Sequence, residues 1–184
     1  MKLKLFPVLL ALCLLLCGCA KDDAPVGPVA AEFSAAGMHI TLTDAFTEKQ
    51  HVSYTACYES TDIALLVLLE EYGLFEHTDF SRQTTPMQYA ELVCNANLLS
   101  LEDVTIAESD TLTWFEFTRT QNGVDNTYRA YVFKSDDGFW LFQFAARSDM
   151  YEAVKDTIHG YAASVSFDKP FVPATEEDVE IHID

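Results

Sequence analysis

Five histidines (His39, His51, His77, His159 and His182) and five cysteines lie in the 184 residues, and none of them is spaced for metal binding or catalysis. No His-x-x-x-His or Cys-x-x-Cys pair occurs. Glu76, His77 and Asp79 offer three ligand types from one loop but no fourth, so a solvated loop accounts for them. Glu180, His182 and Asp184 alternate in an acidic terminus. Asp136-Asp137-Gly138 resembles the start of a calcium loop, but the alternating acids and the later glutamate are missing, which leaves a turn. There is no Gly-x-Ser-x-Gly elbow and no glycine-rich phosphate loop. A cysteine nucleophile needs a neighbouring base and positive surroundings. With 11 Lys+Arg against 29 Asp+Glu, this chain offers little of either. These residues point to no catalytic group, no metal and no cofactor; a hydrolase would require a buried His–carboxylate pair assembled beside a nucleophile only in three dimensions.

Cysteine placement carries more. Cys13, Cys17 and Cys19 crowd the N-terminus, where Lys2 and Lys4 precede an apolar run from Leu5 to Leu16. That run is too short to span a bilayer and has the layout of an export signal. Its ending, Leu16-Cys17-Gly18-Cys19, resembles a bacterial lipobox, in which cleavage after the small residue frees a cysteine that becomes lipidated. The resemblance implies cleavage between Gly18 and Cys19 and acylation of Cys19. Cys17 is excluded from that role because bulky Leu16 precedes it. A diacylglyceryl cysteine carries at least two chains. One chain alone holds only marginally, at about 0.8 kcal/mol per buried methylene, whereas two anchor stably. The implied location is the outer side of a bacterial membrane, with the bilayer itself as the first partner.

Formal charge is −18, and becomes −20 without residues 1–18, which hold two lysines and no acid. Such a surface repels phosphate backbones and anionic headgroups, so nucleic acid is excluded as a partner. Acidity serves solubility first; a basic protein partner is the sharper reading. Cys57 and Cys94 remain in the exported domain. A disulfide between them is permitted outside the cytoplasm and would contribute about 4 kcal/mol in the chain-entropy model. Against the bridge, a helix over 86–97 with Tyr89, Leu92, Val93 and Ala96 buried would turn Cys94 away from the core.

The elements that must position any site are organised around Leu112 to Ala146. This stretch reads as three antiparallel strands joined at Asn122-Gly123 and Asp137-Gly138, both chosen for residues that tolerate positive φ. One parity gathers Phe115, Phe117, Tyr131, Phe133, Trp140, Phe142 and Phe144. The other (Trp114, Tyr128, Val132, Phe139, Leu141) is also apolar, so both faces require cover. Upstream, Met38, Ile40 and Leu42 alternate in a short strand, His51 to Glu59 alternates as a half-buried strand, and Ile63 to Leu69 is apolar on both parities, as in a central strand. A buried helix competes for that last run, but the short polar turn before it favours a hairpin. Thr85-Pro86-Met87-Gln88 carries N-cap, first-turn proline and capping-box glutamine. Val104 and Ile106 begin a short strand. Ser148 is the expected cap of a second helix with Met150, Tyr151, Val154, Ile158 and Tyr161 at helical spacing, after which Ala163 to Phe167 returns to the sheet or its margin.

This order, with AAGMHITLTDAF, TPMQYAELVCNAN, FWLFQFAA and IHGYAASVSF as landmarks, resembles the PsbP-like α/β/α sandwich found in exported bacterial lipoproteins. The resemblance spans residues 32–168. It implies an α+β domain, an antiparallel sheet with helices on both faces, between a signal (1–18) and tether (19–31) and an acidic mobile tail (169–184). Known members are extrinsic photosystem subunits, a nuclear-import cofactor that binds a small GTPase, and lipoproteins, so binding or accessory duty for an envelope protein is implied. Docking would use a sheet edge or loops such as 72–84. The alternative is a small-molecule carrier with a cavity between sheet and helices, lined by the aromatic strands.

Overall fold

The protein's structure, a computed structural model, describes residues 27–97, 99–100, 104–109 and 112–173. In chain order the elements are β1 (Ala30–Ala35), β2 (Met38–Thr43), β3 (Thr47–Lys49), β4 (Ala56–Glu59), β5 (Ala64–Glu71), α1 (Pro86–Ala96), β6 (Ile106–Ser109), β7 (Leu112–Gln121), β8 (Val124–Lys134), β9 (Gly138–Arg147), α2 (Tyr151–Ala163) and β10 (Ser166–Phe167). A seven-stranded sheet runs β3-β4-β5-β9-β8-β7-β6, and β1-β2-β10 form a separate three-stranded sheet. All pairings are antiparallel.

The large sheet is covered on both faces. On one, Tyr131, Trp140, Phe142 and Phe144 pack beneath α2 and the small sheet with Met38, Ile40, Leu42, Tyr151, Ile158 and Ala162. On the other, Phe115, Val132, Phe139 and Leu141 meet Tyr89, Ala90 and Cys94 of α1 and Phe75 of a short 3-10 turn at Tyr72–Phe75. The α+β architecture expected from the sequence is the one observed.

Turn length decides which aromatics share a face, and here the expected grouping is corrected. Asn122 and Gly123 take φ of 53° and 79°, and Gln121 pairs with Val124. That two-residue turn sets Trp114 opposite Tyr131 and Phe117 opposite Tyr128. Directly opposed residues point to the same side, so Phe115 and Phe117 join Tyr128 and Phe139 on the α1 side, while Trp114 joins Tyr131 and Trp140 on the α2 side. The second turn also departs from expectation. Lys134 pairs with Phe139, leaving Asp136-Asp137 as the turn, and Gly138 has no positive φ. Glycine is required there by proximity, since a Cβ would stand 2.2 Å from the Glu70 carbonyl oxygen.

Other differences are local. Residues 50–55 are not strand, Val52 is fully exposed, and only Ala56–Glu59 of the expected alternating run pairs. Thr55 instead bonds β5 by donating its backbone N–H to Val67 O and accepting from Leu69 N at its hydroxyl oxygen. β1 starts at Ala30, inside the segment read as tether, because the Ala36-Gly37 turn (φ 51° and 85°) folds 30–35 back on β2. The final Ser166-Phe167 pairs with β2 in the small sheet, not with the large one. Beyond it, residues 169–171 are docked: Lys169 O accepts from Asp136 N, Pro170 bridges Ser135, and the Lys134 ammonium sits 3.7 Å from the Phe171 ring centre. Of the segment expected as tail, residues 174–184 lie outside the described residues.

Helix α1 starts as its sequence dictates. Thr85 Oγ1 accepts from Gln88 N at 3.2 Å, Gln88 Oε1 accepts from Thr85 N at 2.8 Å, and Pro86 occupies the first turn. Thr85→Ala should remove about 1 kcal/mol of stability, seen as a shift in urea midpoint without change of slope. Its buried stripe is displaced from expectation: Tyr89, Ala90 and Cys94 are buried, whereas Ala96 is exposed. Small Ala90 and Cys94 let the helix lie close to the sheet. Ser148 does not cap α2. Its hydroxyl is 2.9 Å from that of Thr127 on β8, and the helix starts after Met150 with no side-chain cap.

Candidate binding surface

Glu76, His77 and Asp79 are exposed on the loop before α1, and among the described residues no three His, Cys, Asp or Glu side chains gather as a metal set. Asp136 pairs with Arg82 at 2.5 Å and Asp137 with Lys169 at 3.0 Å, so the acids of the β8–β9 turn hold the domain's own cations. Cys57 and Cys94 are both free and buried. The expectation that Cys94 points outward is thus corrected, since it sits in the α1 core, fully buried. Burial, reinforced by Glu91, pushes the Cys94 thiol up to about 11; burial and then Glu59 raise that of Cys57. Both thiols are thus buried and shifted away from the thiolate form that a nucleophile needs. Glu180, His182, Asp184, Gly18 and Cys19 lie outside the described residues.

Three of the described histidines have close partners, and the first, His51, accepts from Ser53 N at Nδ1 over 3.2 Å. His159 Nδ1 is 3.1 Å from the hydroxyl of buried Tyr131. His39, on β2, has Asp168 at 2.8 Å from Nε2 and Glu32 at 3.4 Å from Nδ1. With both ring nitrogens facing acids, His39 has no free nitrogen to serve a nucleophile. The Asp168 hydrogen bond, helped by the charge of Asp168 and then Glu32, raises its pKa above the ordinary 6.5. A raised folded pKa gives stability that is complete below the unfolded value and lost as pH rises through the folded one. An NMR titration should place His39 above 6.5, and Asp168→Asn should bring it back down.

The most developed polar arrangement lies where β7 and β8 pass under α2. Arg129 is 8 % exposed, with its guanidinium carbon 3.9 Å from the Trp114 ring centre and Nη1 donating to Lys155 O at 3.3 Å. Its Nε stands 3.4 Å from Glu116 Oε1 but is not aligned to donate, so charge rather than a hydrogen bond joins them. Tyr151 donates its hydroxyl to the same Glu116 oxygen, and burial followed by that carboxylate raises the tyrosine's pKa. Glu116 is fixed from behind by two groups, yet its side chain remains 37 % exposed at the sheet margin.

On the opposite side of β7, the Phe117 and Tyr128 rings stack at 4.9 Å and Arg119 covers Phe117 at 5.2 Å while reaching Asn97 O. Between these features an open cleft of about 490 Å³ follows the outer edge of β7. Two more, of about 390 and 360 Å³, flank the β7–β8 turn and the Ser60–Ile63 bend. None is lined by Phe139, Trp140 or Phe142. Those rings fill the space under the helices, with Tyr89 stacked on Phe139 at 4.5 Å and Trp140 at 5.3 Å from Phe167. The carrier alternative, which needs an aromatic-lined cavity there, is not favoured. Sequence patterning missed Glu116 and Arg129 because a polar residue in a strand looks solvated until its neighbour across the ladder and the helix above it are known.

No family model and no curated protein matches the chain. Solved structures do. Cyanobacterial PsbP from Synechocystis sp. PCC 6803 superposes with a TM-score of 0.53 at 13 % identity, over 83 % of this chain and 99 % of that one. A Bacteroides thetaiotaomicron protein gives 0.48 at 9 % identity over 83 % of this chain and 55 % of its own. LpqN of Mycobacterium tuberculosis, described as involved in cell envelope biogenesis, gives 0.42 at 11 % identity over 77 % and 91 %. At such identities the likeness speaks to the fold alone. The first of these, with the two-faced sheet described above, makes the fold of this chain PsbP-like.

Proposed function

We propose that the protein is a membrane-tethered, non-catalytic binding or accessory module on the outer side of a bacterial membrane, acting on an envelope protein partner. One observation carries the reading: Lys2 and Lys4, an apolar run from Leu5 to Leu16 and Gly18-Cys19 stand ahead of a PsbP-like domain. Acylated Cys19 is the anchor, and no described helix is long and apolar enough to cross a membrane. The inert thiols, the acid-flanked His39 and the filled aromatic cores support binding over turnover. Net charge of −18 favours a basic partner surface. Cross-linking the full-length acylated protein in its own membrane, then purifying it across a salt series, tests this. One defined envelope protein should co-purify and be lost as salt rises. Absence of a specific partner at every salt, or turnover of a substrate by the purified protein, would contradict it.

A further inference from the structure

β7 is ten residues long, but β6 pairs only with its first four, from Leu112–Ser109 to Phe115–Ile106. From Glu116 to Gln121 it pairs with β8 on one side, and among the described residues no strand pairs with the other. An edge of six residues with no strand partner among the described residues is long enough to template an added strand. The opposite sheet edge, β3, has only three residues.

The cleft along this edge is lined by Glu116, Thr118 and Thr127 together with Phe117, Leu99, Ser100 and Val104. Strand alternation sorts them. Glu116 and Thr118 share the Trp114 side, and Thr127 lies directly opposite Thr118. Phe117, Leu99 and Val104 belong to the α1 side, against the second core. An added strand would therefore place every second side chain beside threonine hydroxyls and the exposed side of the Glu116 carboxylate, whose far side meets Arg129, and the others beside Phe117, Leu99 and Val104, with Arg119 over Phe117 further along the edge. We infer that the outer edge of β7 receives an extended segment of the partner by strand addition, with basic residues alternating with apolar ones. This rests on the binding-module reading and names the surface and chemistry it uses. A second copy of the chain is the poorer occupant, because it would bring another formal −18 to the same edge.

The test uses the full-length protein in neutral detergent and a fluorescent eight-residue peptide of alternating lysine and valine, read by anisotropy. Binding should weaken with salt and vanish when lysine is replaced by glutamate or when alternate amides are N-methylated. Thr118→Lys, which adds one positive charge at the cleft, should weaken it about tenfold or more. Glu48→Gln, the same charge change on the far edge strand β3, should leave it within about twofold. No binding, equal weakening by both variants, or indifference to N-methylation would overturn the inference. So would a wild-type dimer in sedimentation that Thr118→Lys disperses. An envelope partner that co-purifies equally with wild type and Thr118→Lys sinks this edge but keeps the module reading; absence of any partner sinks the module reading itself.

Discussion

Gly138→Ala is expected to cost about 3 kcal/mol, the upper part of the range for overpacking. An added Cβ meets three backbone atoms of β5: Glu70 O at 2.2 Å, Glu71 Cα at 2.8 Å and Glu70 C at 2.9 Å. No rotamer relieves such contacts, so β5 and β9 must separate at the Glu71–Gly138 pair. These are central strands of the sheet, and Tyr72 N donates to Asp137 O beside them. Gly123 supplies the contrast. It has φ of +79° and nothing within 4 Å of an added Cβ, so Gly123→Ala pays only for left-handed backbone, about 1–2 kcal/mol. In thermal melts of a domain this size, about 2–4 °C per kcal/mol, Gly138→Ala should fall clearly below Gly123→Ala. The reverse order would show that proximity to β5 is not what position 138 demands.

Phe139→Ala and Trp140→Ala should each cost about 3–5 kcal/mol, as large-to-small changes in a closed core do. The two residues are neighbours in β9 and point to opposite sides. Phe139 is fully buried, stacked on Tyr89 and edge-on to Phe75 at 6.0 Å. Trp140 is 1 % exposed, lies near Phe142 and Phe167, and donates Nε1–H to Ser135 Oγ at 3.0 Å. Comparable losses in urea denaturation are the signature of a sheet covered on both faces. If one substitution cost little while the other unfolded the protein, one face would be poorly covered and the sandwich account would be wrong.

What was legible in the sequence was local. The cap of α1 is written in Thr85, Pro86 and Gln88 because all three partners lie within one turn. The Asn122-Gly123 turn was legible because two adjacent residues must take positive φ. The need for cover on both faces followed from apolar residues at both parities of the aromatic strands. What failed depended on partners far away in the chain. The facing of Phe115, Phe117 and Trp114 hung on the register that the turn imposes. Gly138 looked like a turn glycine, but its constraint comes from Glu70, on another strand. Cys94 looked outward because Leu92, Val93 and Ala96 are as apolar as the Ala90 and Cys94 that α1 buries or more so. Ser148 looked like a cap, yet Thr127 on β8 takes its hydroxyl. The Glu116–Arg129–Tyr151 arrangement joins three elements and leaves no pattern in any one of them.

The measurement closest to the central claim, a PsbP-like module held at a membrane through its N-terminal cysteine, is the mass of the N-terminal peptide of the protein purified from its own membranes. The account predicts a chain beginning at Cys19 and carrying a diacylglyceryl group, with Cys19→Ala releasing the domain from the membrane fraction. A mature chain that begins elsewhere, or an unacylated Cys19 in a protein still bound to membranes, would contradict it.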